Sequence, residues 1–276
     1  MMNLFADTAP ALALHLPRYK HVWLTLVGTG GTGSHLASGL AALMGELTAR
    51  GIECALTLID GDVVEPKNVG RQLFTQGDIG KRKSLVLANR LMQSFGRPVL
   101  HRHTPIDERD IRDTFVASDA LTLNIIIGAV DNPQARLTIA QAVEHANGNL
   151  WWLDCGNERH SGQVCIGNTA SARLMQGTAA LGMITCLPAP HLVYPDLIAV
   201  PKKKVRTGAS CAELTAAGEQ GLMVNRMVAA HALTMLDAFF RGDLKYFALA
   251  FDAVWGGASP LVIDAPTLAR VCGVPV

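Results

Sequence analysis

The stretch GTGGTGSHLASGL, Gly28 to Leu40, follows an apolar run, Val22-Trp23-Leu24-Thr25-Leu26-Val27, and leads into a helical pattern over about 34–49. Strand, glycine turn and helix in that order make a phosphate cradle. The glycines permit a tight turn and close backbone approach, and the helix N-terminus adds unpaired N–H groups with a partial positive charge. Gly28, Gly30 and Gly33 match the dinucleotide fingerprint, and Gly31 adds a further flexible position. Taken alone, the loop suits NAD, FAD, S-adenosylmethionine or ATP equally well.

Outward from the loop, strands and helices alternate. CALTLID (54–60) supplies a second strand, SLVLANRLMQSF (84–95) a helix, and RPVLHRHTPI (97–106) an exposed strand. ALTLNIIIGAV (120–130) is an apolar, β-branched run suited to a buried parallel strand. NPQARLTIAQAVEHANG (132–148) opens on Asn-Pro, a cap followed by proline at the first helical position, and closes on Gly148. WWLDCG (151–156) is another buried strand. The pattern predicts an α/β fold, a Rossmann-like, mostly parallel sheet flanked by helices over residues 20–156.

In the C-terminal half, 157–276, antiparallel strands extend that sheet. SGQVCIG (161–167) leaves the parallel order, and KYFALAFDAVWGGASPLVI (245–263) reads as two strands around a Gly256-Gly257 turn. Prolines and glycines interrupt residues 169–210, which carry the basic run PKKKVR and read as a mobile loop with little structure. A long helix over about 212–240 follows, weakened by Gly218 and Gly221. Nothing resembling a repeat or a low-complexity linker divides the chain, so 1–276 reads as one domain.

Composition narrows the function. Hydrophobic residues make up 49% of the 276 and charged residues 17%, which favours a compact core over disorder. A net charge of +1 argues for neither nucleic acid nor membrane as partner. The N-terminal stretch lacks the basic-then-apolar order of a signal peptide, and the six cysteines include no CxxC pair. These features predict a cytoplasmic, reduced protein.

The stretch LIDGDVVEPKNVGRQLF (58–74) separates the nucleotide options. Asp60 closes the second strand, where an acidic side chain accepts hydrogen bonds from ribose hydroxyls. Asp62, Asn68, Arg71 and Gln72 follow, and DIGKRK (78–83) places Lys83 at the start of the next helix. An arginine and a lysine beside a phosphate cradle suit a triphosphate whose charge must be neutralised as it reacts, a need that hydride transfer to or from NAD lacks.

The glycine loop, D-x-D at 60–62, N-x-x-R-Q at 68–72, G-x-x-K at 80–83 and D-N-x-x-x-R at 131–136 resemble, in order and spacing, the ThiF/MoeB/E1-like adenylating enzymes. CGNERHSGQVCI (155–166), SCAELTAAGEQGL (210–222) and FDAVWGGASPLVI (251–263) are similar to later segments of that family, so the resemblance spans about 20–265. Short length and missing CxxC pairs are most similar to the ThiF-related members from PRTRC plasmid cassettes. The resemblance implies ATP-dependent adenylation of the C-terminal glycine carboxylate of a small ubiquitin-like or sulfur-carrier protein, with Mg²⁺, in a homodimer. It implies that Gly28, Gly30 and Gly31 line the nucleotide and that Asp60 holds the ribose. Asn68, Arg71 and Lys83 would contact phosphates, and Asp131 would hold Mg²⁺.

Several residues carry two readings. Asp62 is a turn former or a nucleotide contact. Arg136 is a structural ion-pair partner or a substrate contact, and Asp131 a helix cap or the metal ligand. His35 reads as a surface or packing histidine. Cys211, ahead of the long helix and near Lys202–Lys204, is a buried hydrophobe or the acceptor of the activated carrier. Cys186 and Cys272 stand alone where relatives carry two CxxC pairs, so no Cys₄ zinc is expected. The family's N-terminal arginine has no obvious counterpart, Arg18 lying close to the first strand. Two other classes stay open: a ThiF-like enzyme adenylating a small molecule or RNA, and an NAD-dependent oxidoreductase. A silent scaffold would have no chemical reason to retain this whole set of residues.

Overall fold

A computed structural model describes residues 12–107, 111, 120–171, 174, 182–199 and 222–273. Its centre is an eight-stranded sheet with helices on both faces. The first half comprises β1 (Ala13–Leu14), β2 (His21–Val27), α1 (Gly31–Ala49), β3 (Glu53–Ile59), α2 (Lys83–Phe95), β4 (Leu100–Arg102), β5 (Thr122–Gly128) and α3 (Pro133–Ala146). The second comprises β6 (Leu150–Asn157), β7 (Ser161–Gly167), β8 (Met183–Ile184), α4 (Pro190–Val193), α5 (Leu222–Arg241), β9 (Tyr246–Asp252), β10 (Gly257–Val262) and α6 (Ala265–Cys272).

The strand order is β10-β9-β7-β6-β5-β2-β3-β4. Pairings from β4 to β6 are parallel, and those from β6 through β7 and β9 to β10 are antiparallel, as the sequence predicts. The chain winds from β2 outward to β4 and then returns to β5 on the other side of β2. That reversal opens a crevice at the carboxyl ends of β2 and β5, where ligands bind in sheets of this kind.

Both faces of the parallel strands are apolar because both are covered. On β5, Ile125 and Ile127 face the core under α1 and α5 while Ile126 faces the second core with Ile139 and Val143 of α3. β6 repeats the alternation: Trp151 packs edge-on against Phe239 of α5 at 4.8 Å, and Trp152 stacks on His191 of α4 at 6.0 Å. Each full burial of such a side chain contributes on the order of 1.5–3 kcal/mol, so the two tryptophans tie β6 firmly to both layers.

The described part of 169–210, predicted as a loop with little structure, holds three short elements and is irregular between them. Pro190 and Pro195 sit in the first turn of α4 and of a 3₁₀ turn at Pro195–Ile198, where proline starts a helix instead of breaking one. Leu187 and Ala189 are fully buried, and β8 pairs in parallel with β1. Residues 200–221, with PKKKVR, Cys211 and the first part of the predicted long helix, lie outside the described residues. No helix among the described residues is long and apolar enough to cross a membrane.

Candidate functional site

The glycine loop joins β2 to α1 at the crevice. Gly28 has φ +86°, and a Cβ there would lie 2.4 Å from the carbonyl oxygen of Ala129, at the end of β5. A Cβ on Gly33 would lie 1.9 Å from the carbonyl oxygen of Gly28. Both glycines are therefore demanded by the chain's own close approach. Gly30 is different: its nearest neighbour would be Gln72 Nε2 at 3.7 Å, which leaves open space where a phosphate would sit. Because the atom met by Gly33→Ala is backbone, the clash cannot be relieved by a rotamer. This variant should lose about 1–3 kcal/mol of stability, with ATP binding lost alongside; thermal unfolding and calorimetric titration check both.

Above the loop lies a cavity of about 400 Å³, within the range of ordinary ligand pockets. Its β3 side is lined by Asp60, Asp62, Gln72 and Lys83. Asp60 Oδ2 accepts from the backbone N–H of Thr29 at 2.7 Å and its hydroxyl at 2.8 Å, and Oδ1 accepts from the Asp62 N–H at 2.8 Å. The turn-forming role weighed for Asp62 thus belongs to Asp60, whose carboxylate pins the glycine loop to β3. A carboxylate offers about four acceptor sites, so a ribose hydroxyl still finds a lone pair.

Lys83, 6% exposed, extends its Nζ to Asp62 Oδ2 at 2.9 Å. The Asp62 side chain is 72% exposed, so water and salt screen the pair, and it is worth about 0–1 kcal/mol to the fold. Losing the ammonium therefore costs binding more than stability. Lys83→Met should weaken ATP binding roughly 10- to 100-fold, the worth of a charge-assisted hydrogen bond, with little change in unfolding; calorimetric titration reads the affinity.

Across the glycine loop, the cavity is lined by Asp131, Asn132, Gln134, Cys155 and Asn157. Asn132 is the cap of α3: its side-chain oxygen accepts from the Ala135 N–H at 2.7 Å. Asp131 is free of that task, and no hydrogen bond or ion pair to another described residue engages it. Arg136 points away from the cavity into the core, its Nε 3.0 Å from Asp154 Oδ1. The structural reading of Arg136 is the one the structure shows.

Two residues of the N-x-x-R-Q segment do not reach the cavity wall. Asn68 is buried and spends its Oδ1 on the Glu65 N–H at 2.8 Å, closing the 3₁₀ turn Pro66–Asn68. Arg71 is half-buried beside Gln72 and absent from the lining. Gln72 does line the cavity, and its buried Oε1 has no partner among the described residues. His35, half-buried on α1, lies away from the cavity, and burial lowers its pKa. Cys211 lies outside the described residues. Sequence reasoning missed Asn157 and the far wall at Thr104, Pro105 and Ile106, which follows β4. No local signal marks these positions; the parallel register brings them to the crevice.

Among the described residues no three His, Cys, Asp or Glu side chains are grouped to hold a metal ion. Mg²⁺ asks for less. It is commonly held by one or two carboxylates together with substrate phosphates and water, and the uncommitted Asp131 carboxylate fits that requirement.

A doubly wound sheet with a glycine cradle, two acidic side chains and a buried lysine at its crevice defines a Rossmann-like fold shaped for a phosphate-bearing ligand. The chain belongs to the ThiF family, whose sequence profile matches residues 14–254. Among solved structures, it is similar to selenomethionine PaaA, with a TM-score of 0.58 and 18% identity over 89% of this chain and 65% of that one. E. coli MccB crystallised with ATP gives a TM-score of 0.55 and 16% identity over 88% of this chain and 64% of that one. MccB with AMPCPP and MccA gives 0.55 and 17% over 87% and 63%. The chain spans just under two thirds of the length of both proteins. No curated protein matches the sequence.

Proposed function

We propose that the protein adenylates the C-terminal carboxylate of a peptide or small protein at the expense of ATP. The observation that carries this reading is the buried Lys83 on the wall of a glycine-cradled cavity, opposite an uncommitted Asp131. Membership of the ThiF family and a fold shared with MccB, which has been crystallised with ATP and with MccA, support it. A small ubiquitin-like or sulfur-carrier protein ending in glycine is the substrate class we favour.

In the reaction, a carboxylate oxygen attacks the α-phosphorus. A new O–P bond forms, the bond to the β-phosphate bridge breaks, and pyrophosphate leaves with the electron pair. Backbone N–H groups at Gly30 and Gly31 hold phosphate oxygens, and Asp60 holds the ribose. Lys83 draws away from Asp62 to neutralise charge on the departing pyrophosphate, and Arg71, which lies off the cavity wall beside Gln72, would swing in to add a second cation. Asp131 would hold Mg²⁺, which when bound neutralises phosphate charge during displacement. Positioning and electrostatic stabilisation suffice, since no covalent help from the enzyme is required.

Product analysis tests the proposal. With an accepted substrate, ATP should yield AMP and pyrophosphate, and added hydroxylamine should convert the substrate's terminal carboxylate to a hydroxamate. Formation of ADP and phosphate instead, or reduction of NAD, would overturn it.

A further inference from the structure

At the β6 end of the cavity, three side chains form a polar knot that the chemistry above does not use. Asn157 closes β6 and lines the cavity. Its Nδ2 donates to Asn225 Oδ1 and, at 3.4 Å, to Thr32 Oγ1. The Thr32 hydroxyl in turn donates to Asn225 Oδ1 at 3.2 Å. Asn225 is 5% exposed and sits near the start of α5, so α1, β6 and α5 each contribute one member. A Cβ on Gly31 would lie 2.5 Å from Asn225 Nδ2, so this glycine also makes room for the knot.

The Asn157 amide turns its NH₂ group to both the Thr32 and Asn225 oxygens. The other end, Oδ1, is left with no donor among the described residues. A fixed amide offering an acceptor beside a ligand cavity selects for a ligand that brings an N–H.

The strand order says which ligand arrives there. Asn157 ends β6, and Asp60 and Asp62 follow β3, three strand positions away. At about 4.8 Å per strand that is roughly 14 Å. Displacement at phosphorus places the incoming oxygen opposite the leaving pyrophosphate. With the pyrophosphate drawn to Lys83 on the β3 side, the acyl group enters from the β6 side.

We propose that Asn157 Oδ1 accepts a hydrogen bond from the backbone N–H of the residue that bears the reacting carboxylate. The substrate is then a peptide or protein whose last residue has a free amide N–H. Simple carboxylic acids and chains ending in an N-alkylated residue, such as proline, are disfavoured. This inference rests on the adenylation reading and names the substrate feature that the same site selects.

Two non-hydrolysable acyl-adenylate analogues test it: 5′-O-sulfamoyl adenosine acylated with acetylglycine or with acetylsarcosine, which differ by one N-methyl group. Both are titrated calorimetrically into the wild type and Asn157→Ala, with ATP and AMP alongside. The wild type should bind the acetylglycyl analogue about tenfold or more tightly than the acetylsarcosyl one, since an acceptor covered by the bound analogue and left without its donor is costly. In Asn157→Ala the preference should fall to within about twofold while ATP affinity holds. Equal binding by the wild type, or an undiminished preference in the variant, would overturn the inference. If Asn157→Ala fails to fold, the wild-type comparison and Thr32→Val, which loosens the amide and should shrink the preference, still decide. Failure of the adenylation reading looks different: neither analogue would then bind more tightly than AMP, and both proposals would fall.

Discussion

Asp131→Ala should lower ATP–pyrophosphate exchange by about 10²- to 10³-fold, the range found when one charge-stabilising group is removed from a phosphoryl- or acyl-transfer site. ATP should still bind within a few-fold, because the glycine loop, Asp60 and Lys83 remain. The fold should be unaffected, since no other described residue depends on the Asp131 carboxylate. Asn132→Ala is the paired control. It removes the α3 cap, whose Oδ1 accepts from the Ala135 N–H, and should cost about 1 kcal/mol of stability. Its exchange rate should change little. Rates and urea midpoints measured on both variants separate the two adjacent residues into one that serves the reaction and one that serves the helix. The reverse pattern would move the metal-binding role away from Asp131.

The largest stability effect is expected at Arg136. Its guanidinium faces Asp154, 1% exposed, at 3.0 Å, and also donates to the carbonyl of Cys155 at 3.4 Å. Removing one partner of a buried pair strands the other charge, so Arg136→Met should cost about 3–5 kcal/mol and lower the melting temperature by roughly 10 °C. Replacing both, with Asp154→Leu added, should restore much of the loss, because the buried carboxylate is then gone too.

The deficit should depend on pH. Burial pushes the Asp154 carboxyl above the ordinary aspartate range, and Arg136 opposes that rise. An acid whose folded-state pKa exceeds its unfolded one loses stability as pH climbs from the unfolded value, about 3.9, through the folded one. Without Arg136 the folded value rises further and the window widens upward. The single variant's deficit should therefore be larger at pH 8 than at pH 5. Chemical denaturation at the two pH values measures it; a flat difference would mean that removing Arg136 leaves the protonation of Asp154 unchanged between them.

Much of this architecture was legible in the sequence because it is set by short-range chemistry. The glycine turn, the Asn132-Pro133 cap and the β-branched run of β5 each announce themselves within a few residues. So did the carboxylates and lysine of the β3 side, which lie within twenty-four residues of one another. What stayed hidden depends on long-range register. Asn157 meets Thr32 across 125 positions and Thr32 meets Asn225 across 193, and no local pattern encodes either meeting. Asn68 shows a local role the motif did not announce: its side-chain oxygen accepts from the Glu65 N–H and closes the turn. The prolines at 190 and 195 were misleading for a simpler reason, since the same residue ends one helix and begins another.

Adenylation is tested most directly by isotope exchange between labelled pyrophosphate and ATP. The protein would be incubated with MgATP, labelled pyrophosphate and, one at a time, small proteins ending in Gly-Gly and peptides with a free C-terminus. Label should enter ATP only when an accepted carboxylate is present, and should fall with Asp131→Ala and Lys83→Met. ATP bound tightly with no label exchanged for any carboxylate, or NAD bound in its place, would contradict the assignment.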